Sequence, residues 1–598
     1  MKKIYIIITF FLVGLSMSCT KNVLDKKPLG IMSDAVVWED QVLIEAFLTQ
    51  VYTEMSIWDN EMYMPGNSSQ DWFMMYFIDH MADESKANST WSGNAYRLKL
   101  GNLNETGTFD SRGLGLLEWW ERAYVTIRRL NEFIARVPNS PVDKEWAKKR
   151  VAEARFIRAF NYFSMVKRYG GVPILTKAQN IGDPKEELFV SRNTEKEVYD
   201  FVIKEVDECM VDLPAVVPQS EYGRPSKYAA LALKSRAALY AASIADYGKG
   251  PENGGVVGIN NGLKNEYYQK SYDASKEIMN SGIHRLYNDN PDKVRNFRDI
   301  FMVERNPEAI FVRTHDNLDK DAGGNGSNYD FYQTPAPNAW GTGNIDGVYL
   351  EMVESFQLKD GSSGKLDRSV IQNGVWTHEE LWKDKEPRFF ATIYTHGTMW
   401  KGTPLDFHQG IVDETGTLIF TGSVNGIPAR ALNGETGFGA LKYLDESKDN
   451  NSNIYGSKTD WIVFRYAEVL LNFAEAALAL GKSGEALDAV NQIRDRGGVA
   501  RLTSISLAGI KHERKVELAF EGHRYWDLRR WRTAVTELTR NFSGLHYMLD
   551  AETGKVRLWV IDNIDGGAMP TFFEKNYYFP ITPGRRANNP NLVENPGY

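Results

Sequence analysis

Four things are scarce in this sequence: basic runs, cysteines, catalytic signatures and apolar segments of membrane length. The net charge is −8 and the pI about 5.8. No cluster of Lys and Arg stands out, so nucleic acid is not the expected partner. There is no GxSxG elbow, no GxxxxGK[ST] loop and no HExxH metal pair. The GTGNIDG run at Gly341 lacks GxGxxG spacing and a strand–helix setting, so it reads as loop. Asp319 and Asp321, followed by Gly323, hint at an oxygen-rich cation loop but fail the twelve-residue calcium pattern. No metal or cofactor is therefore expected. The two cysteines are Cys19 and Cys209. With Cys19 acylated, no internal disulfide is left. Cys209 shares a helical face with Val202, Val206 and Leu213 and reads as a buried small hydrophobe, not a nucleophile.

The one long apolar run, Ile4 to Met17, follows Lys2 and Lys3. It is too short to span a bilayer but suits a signal-peptide core. Ser18 and Cys19 close it, which reads as a lipoprotein signal over residues 1–18 with lipidation at Cys19. Leu15 stands four places before the cysteine and Ser16 three, where a lipobox usually has leucine. Simple secretion, with Cys19 a bystander, is the alternative.

Helical periodicity comes in pairs. A first pattern runs from Ser33 to Met55. Leu117 to Val137 and Glu145 to Tyr169 form one pair, the second stopped by Gly170, Gly171 and Pro173. Phe156, Phe160 and Phe163 stripe its face and read as core. Glu195 to Leu213 and Ser226 to Asp246 form the next, with an alanine-rich run that allows close helix approach. Trp461 to Leu480 and Ser483 to Arg496 match the helix–turn–helix length of a tetratricopeptide unit.

Between residues 282 and 458 long helices largely vanish, and Gly, Asn, Asp and aromatics dominate. An insertion of that length is usually functional. Glu386 to Trp400 reads as a strand pair within it. Asn541 to Tyr578 reads as irregular, and the last stretch as an ordered tail over the body.

The run ERKVELAFEGHRYWDLRRW, Glu513 to Trp531, opens as an amphipathic helix with Val516, Ala519 and Phe520 on one face. Glu513, Glu517 and Glu521 form a ridge beside it. Gly522 offers a kink, and Tyr525, Trp526, Leu528 and Trp531 then interleave with Arg524, Asp527, Arg529 and Arg530. Glu521, His523 and Asp527 could serve as acid, base and orienter. A buried, ion-paired scaffold corner is the preferred reading.

This run closely resembles the C-terminal signature of the SusD/RagB family, surface glycan-binding lipoproteins of Bacteroidota. Four further stretches resemble the same family in the same order: the lipoprotein-like start, EARFIRAFNYFSMVKRYGGVPIL, GRPSKYAALALKSRAALYAAS and RYAEVLLNFAEAALALGKSGEALDAVNQIRDRGG. The resemblance implies a mostly α, tetratricopeptide-like scaffold of helical pairs with a large loop-rich ligand-binding region. It gives a lipid-anchored tether over residues 19–32 and one domain over 33–598, with helical pairs at about 117–246 and 460–531. It implies a non-enzymatic protein on the outer membrane that captures oligosaccharides for a TonB-dependent (SusC-like) transporter. Peptide capture, as in RagB-type members, is the alternative. A glycan-degrading enzyme and a purely structural lid are others.

A sugar presents an apolar face for aromatic stacking and a rim of hydroxyls for Asn, Asp and Arg. Two irregular stretches carry that mixture. One holds Trp91, Asn94, Tyr96 and Arg97, after the MADE run where the family places one edge of its glycan site. The other holds Asn328, Tyr329, Tyr332, Asn338 and Trp340. The expectation is one shallow platform of Trp91, Tyr96, Tyr329, Tyr332 and Trp340, with Asn94, Asn338 and Arg97 on hydroxyls. Trp376 and Trp400 are next in line.

Overall fold

The computed structural model describes residues 34–55, 77–87, 99–101, 119–315, 326–327, 329–335, 346–429, 436–447 and 456–598. The signal segment, Cys19 and the tether lie outside them, as do Asp319 and Asp321.

The fold is mostly α. Helix α1 (Gln41–Thr53) starts on Asp40, whose carboxylate accepts from the amides of Val42 and Leu43. Strand β1 (Ser85–Ala87) follows. Then come α2 (Trp120–Arg136), α3 (Lys144–Tyr169), α4 (Glu195–Cys209) and α5 (Lys227–Tyr247). The expected pairs are all present, to within a few residues at their ends. Their starts have local causes: Asp143 caps α3, a Thr194–Glu197 capping box opens α4, and Ser226 caps α5. Gly170 ends α3 at φ +75°, a conformation that costs any other residue its Cβ clash.

Helix α6 (Lys264–Ser281) was not anticipated, although Tyr267, Ser271, Ala274 and Ile278 mark its buried face at helical spacing. It packs on α5 and on α9 (Tyr466–Ala479), which packs in turn on α10 (Ser483–Gly497). Everything between α6 and α9 is thus an insertion into a continuous stack of helices. Within it lie α7 (Lys293–Met302), β2 (Ala309–Arg313), β3 (Asp346–Val348), α8 (Pro387–Thr392), β4 (Ile393–Thr395), β5 (His408–Val412), β6 (Leu418–Ile419), β7 (Phe438–Ala440) and β8 (Trp461–Arg465). The chain ends with α11 (Leu507–Glu517), α12 (Arg524–Arg530) and a hairpin of β9 (Gly544–Asp550) and β10 (Val556–Ile561).

Three expectations need correction. Glu386 to Trp400 is not a strand pair: Pro387 sits at the first helical position and starts α8, and β4 then pairs with β7. Trp461 does not begin a helix, because Trp461 to Arg465 form β8, antiparallel to β2. Asn541 to Tyr578 contains a regular hairpin, whose β9 also runs parallel to β5. The two four-stranded sheets have the orders β1-β3-β7-β4 and β10-β9-β5-β6.

The Phe stripe of α3 is core. Phe156 meets Phe311 of β2 edge-on at 5.2 Å, Phe160 meets Phe464 of β8 at 6.2 Å, and Phe163 meets Tyr240 of α5 at 5.2 Å. Cys209 is buried on α4, and burial pushes its thiol pKa up, away from nucleophile chemistry. The C-terminal segment is an ordered tail. Asn595 donates to the carbonyls of Tyr169 and Phe579 and accepts from Arg192.

A buried ion network locks the insertion to the helical stack. Glu513 and Glu517 of α11 and the following Glu521 face Arg388 of α8, Lys442 beyond β7, Arg465 at the end of β8, and Arg494 and Arg496 of α10. Glu308, at the foot of β2, takes Arg465 at 2.7 Å and Arg496 at 2.9 Å. Burial alone would raise the carboxyl pKa values of Glu517 and Glu521. The surrounding guanidinium groups, with Lys442 at Glu521, outweigh it and hold both below the ordinary range. Asp83 and Asp527 are held down in the same way, by Arg524 with Lys515 and by Arg514 with Arg530.

The pH consequence has a definite sign. Carboxyls with depressed folded pKa values stabilise the fold fully above their unfolded pKa, about 4, and this stabilisation is lost as pH falls through their folded values. The melting temperature should therefore drop steeply below about pH 4. A midpoint that stays flat to pH 2 would show that these carboxyls are not tied to folding.

Candidate functional site

The described part of the expected site is its root. Strands β1 and β3 are antiparallel, with Ser85 opposite Val348, Lys86 opposite Gly347 and Ala87 opposite Asp346. The first aromatic stretch departs from the Ala87 end of β1. The second arrives at the Asp346 end of β3. These two ends are paired residues, so both stretches are rooted at the same end of one ladder.

Ion pairs and hydrogen bonds fix that root. Asp83 accepts from Arg524 at 2.7 and 3.0 Å and from Lys515 at 2.9 Å, which ties the MADE turn to α11 and α12. The Glu84 carbonyl accepts from the Tyr349 amide, and its carboxylate from the Phe520 amide at 3.3 Å. Burial and the adjacent Asp83 charge push the Glu84 carboxyl pKa up from its ordinary value. Lys99, where the first stretch returns, donates to the Ser85 carbonyl at 2.7 Å and to the Tyr349 hydroxyl at 2.6 Å. The Tyr349 hydroxyl in turn donates to Asp565 at 2.8 Å. Lys99 thereby closes the base of the first stretch against β1. Lys99, Tyr349 and Asp565 carry no signal of this role in sequence, because their partners are far apart along the chain.

Trp91, Asn94, Tyr96, Arg97, Asn328, Asn338 and Trp340 lie outside the described residues. Tyr329 and Tyr332 are described, and both are buried, at 6% and 1% exposure. They occupy one helical turn, Tyr329–Gln333. The Tyr329 hydroxyl donates to the Lys442 carbonyl at 2.7 Å, and its ring meets Tyr443 at 5.9 Å. Tyr332 packs edge-on against Phe331. The two tyrosines thus anchor the start of the second stretch, and neither offers a free face to a sugar. Trp400 is also buried, at 1% exposure. Trp376 is half-buried and donates its indole N–H to the Ile371 carbonyl. Neither is an open platform.

The acid–base reading of the corner also fails on geometry. Glu521 is held by Arg465 and Lys442, and Asp527 by Arg514 and Arg530. His523 is buried, and burial with the nearby Arg236 and Arg514 charges keeps its pKa far below the usual value. Among the described residues no group of three or more His, Cys, Asp or Glu side chains could hold a metal ion. Nor, among them, is any helix long and apolar enough to cross a membrane.

Comparison with known proteins agrees with this architecture. Residues 307–598 match the model of the SusD family, and residues 24–239 match a related model described as starch-binding, associating with outer membrane. SusD-like protein P38 of Formosa agariphila is 24% identical over 451 residues, covering 70% of this chain and 72% of that protein. A SusD-like protein of Bacteroides fragilis has a crystal structure that superposes with a TM-score of 0.71 at 24% identity, over 95% of this chain and 99% of the other. Surface glycan-binding protein A of Bacteroides thetaiotaomicron, solved with laminarihexaose, superposes with a TM-score of 0.59 at 18% identity, over 93% and 99%. With SusD-family models matching residues 24–239 and 307–598, the chain belongs to the SusD/RagB family.

Proposed function

We propose that the protein captures oligosaccharides at the cell surface and passes them to a TonB-dependent transporter in the outer membrane. Trp91, Tyr96 and Trp340 supply the stacking faces, and Asn94, Arg97 and Asn338 the hydroxyl partners. The observation that carries this reading is the shared root on β1 and β3. Trp91 follows Ala87 by four residues and Trp340 precedes Asp346 by six. At no more than about 3.6 Å per residue, the chain between the paired ends and either tryptophan can span at most about 22 Å. The laminarihexaose complex of a relative with the same fold supports the ligand class.

Affinity is expected in the range of about micromolar to millimolar, because an exposed ligand stays partly solvated and binding must offset lost freedom. Such affinity suits handover. Trp91→Ala and Trp340→Ala should each weaken oligosaccharide binding by calorimetry and leave the melting temperature nearly unchanged. Loss of folding would show both indoles to be core anchors. Binding of peptides in place of glycans would reassign the ligand class.

The anchor is Cys19, and the stacked helices offer the kind of extended surface that a transporter barrel can grip. Labelled fatty acid should enter the wild-type protein and not Cys19→Ala. Equal labelling would remove the anchor from the account. More than one acyl chain is expected there, since a single chain binds membranes only marginally.

A further inference from the structure

The loop at residues 562–573, which follows β10, is bonded to both ends of the first aromatic stretch. Where that stretch leaves β1, the Lys86 ammonium donates to the Ile564 carbonyl at 2.9 Å. Where it returns, the Lys99 carbonyl accepts from the Thr571 amide. One distant loop thus brackets the segment that carries Trp91. Its inner side is fixed: Pro570 and Phe572 are buried over Met81 and Ala82 of the MADE turn. The Phe572 amide donates to the Thr539 hydroxyl at 3.1 Å, and the Ile564 amide to the Phe542 carbonyl at 3.0 Å.

Its outer side carries what a sugar needs. Met569 and Phe573 are 47% and 48% exposed. A single exposed apolar side chain is ordinary; here two stand five positions apart on the loop that brackets the stretch. The Phe573 ring lies on the Gly101 backbone, at the return of the stretch. Gly101 has φ +73°, and a Cβ there would stand 2.5 Å from the ring, so only glycine lets the ring sit this close. Asp565 adds the polar contact. The Tyr349 hydroxyl lies 2.8 and 2.9 Å from its two oxygens and is the one donor to them among the described residues. Tyr349 and Lys99 behind it are buried, whereas Asp565 is half-buried. A carboxylate offers about four acceptor positions, so most of those on Asp565 remain open to a ligand. Held by buried partners, it needs little ordering on binding, and its bonds to hydroxyls are charge-assisted.

We propose that this loop is a third wall of the glycan site, where Asp565 accepts from the hydroxyls of a neutral oligosaccharide and Phe573 and Met569 meet the apolar face of its ring. The wall rests on the capture reading, because the bracketed stretch has to hold the sugar for the loop to reach it.

The test is calorimetric titration of the full chain with laminarihexaose, cellohexaose and maltohexaose, with Trp91→Ala run alongside. Asp565→Asn, which keeps an acceptor for Tyr349, should weaken the best-bound hexasaccharide by roughly tenfold. Phe573→Ala should weaken it several-fold, Phe573→Tyr should restore it, and all three should melt near the wild-type temperature. The Phe573 pair covers the case in which Asp565→Asn fails to fold. Wild-type affinity in folded Asp565→Asn or Phe573→Ala would overturn the proposal, and with binding lost in Trp91→Ala the capture reading would stand without it. Equal loss in Phe573→Ala and Phe573→Tyr, with a lowered melting temperature, would also overturn it and make the loop a structural support only. Loss in the loop variants with full binding by Trp91→Ala would fail the aromatic stretches and leave the loop. A wild type that binds none of the three hexasaccharides would overturn both.

Discussion

Arg465→Met is expected to destabilise the protein by about 3–5 kcal/mol, the range for removing one partner of a buried ion pair. The guanidinium is 2% exposed and makes five contacts: Glu308 at 2.7 Å, the Glu517 carboxylate at 2.6 Å and carbonyl at 2.8 Å, and both oxygens of Glu521 at 2.6 and 2.7 Å. Methionine fills part of the volume but leaves three buried carboxylates short of a cation. Their remaining partners, Arg388, Arg496 and Lys442, belong to three different segments. The loss therefore falls on the contact between the insertion and the helical stack. Chemical denaturation should show a lower midpoint. An unchanged midpoint would mean that the network adds nothing net to stability.

Trp526→Ala should cost a similar amount, roughly 3–5 kcal/mol for a fully buried large aromatic. The indole is 2% exposed. Lys167, Arg529 and Arg168 lie over its ring at 4.5, 4.8 and 5.1 Å, and Phe579 of the C-terminal tail packs at 6.3 Å. Truncation opens a cavity and removes the π face that those cations share. Because Phe579 also donates its amide to the Arg168 carbonyl, the tail should loosen with the core. Thermal unfolding at the wild-type midpoint would contradict this.

The helical stack was legible because each helix carries its own signals. Periodicity, a capping residue and a glycine or proline stop are all local. Where local signals conflicted, the reading failed. WIVFRYAEVLL is mostly apolar and buried on every face, its Arg465 and Glu468 included, so no period separates strand β8 from helix α9. EPRFFATIYT is rich in aromatic and β-branched residues that favour strands. Pro387 at the first helical position decides for a helix. The ion-paired corner was visible as alternating charge and aromatics, but its partners were not. Glu308, Arg388 and Lys442 come from segments with no pattern of their own.

The site was legible in composition and only partly in geometry. Tyr329 and Tyr332 look like loop aromatics in sequence, yet a hydroxyl that finds a backbone acceptor lets a tyrosine be buried. The pairing of Ala87 with Asp346, which roots both stretches together, joins residues far apart in the chain and could not be read from spacing.

The central claim is that Trp91 and Trp340 form one glycan platform. Calorimetric titration of an oligosaccharide panel into the Trp91→Ala, Trp340→Ala double variant tests it most directly. The account predicts a folded protein, with its melting temperature nearly unchanged, that no longer binds the oligosaccharide taken up by the wild type. Full binding by the folded double variant would contradict it and place the site elsewhere.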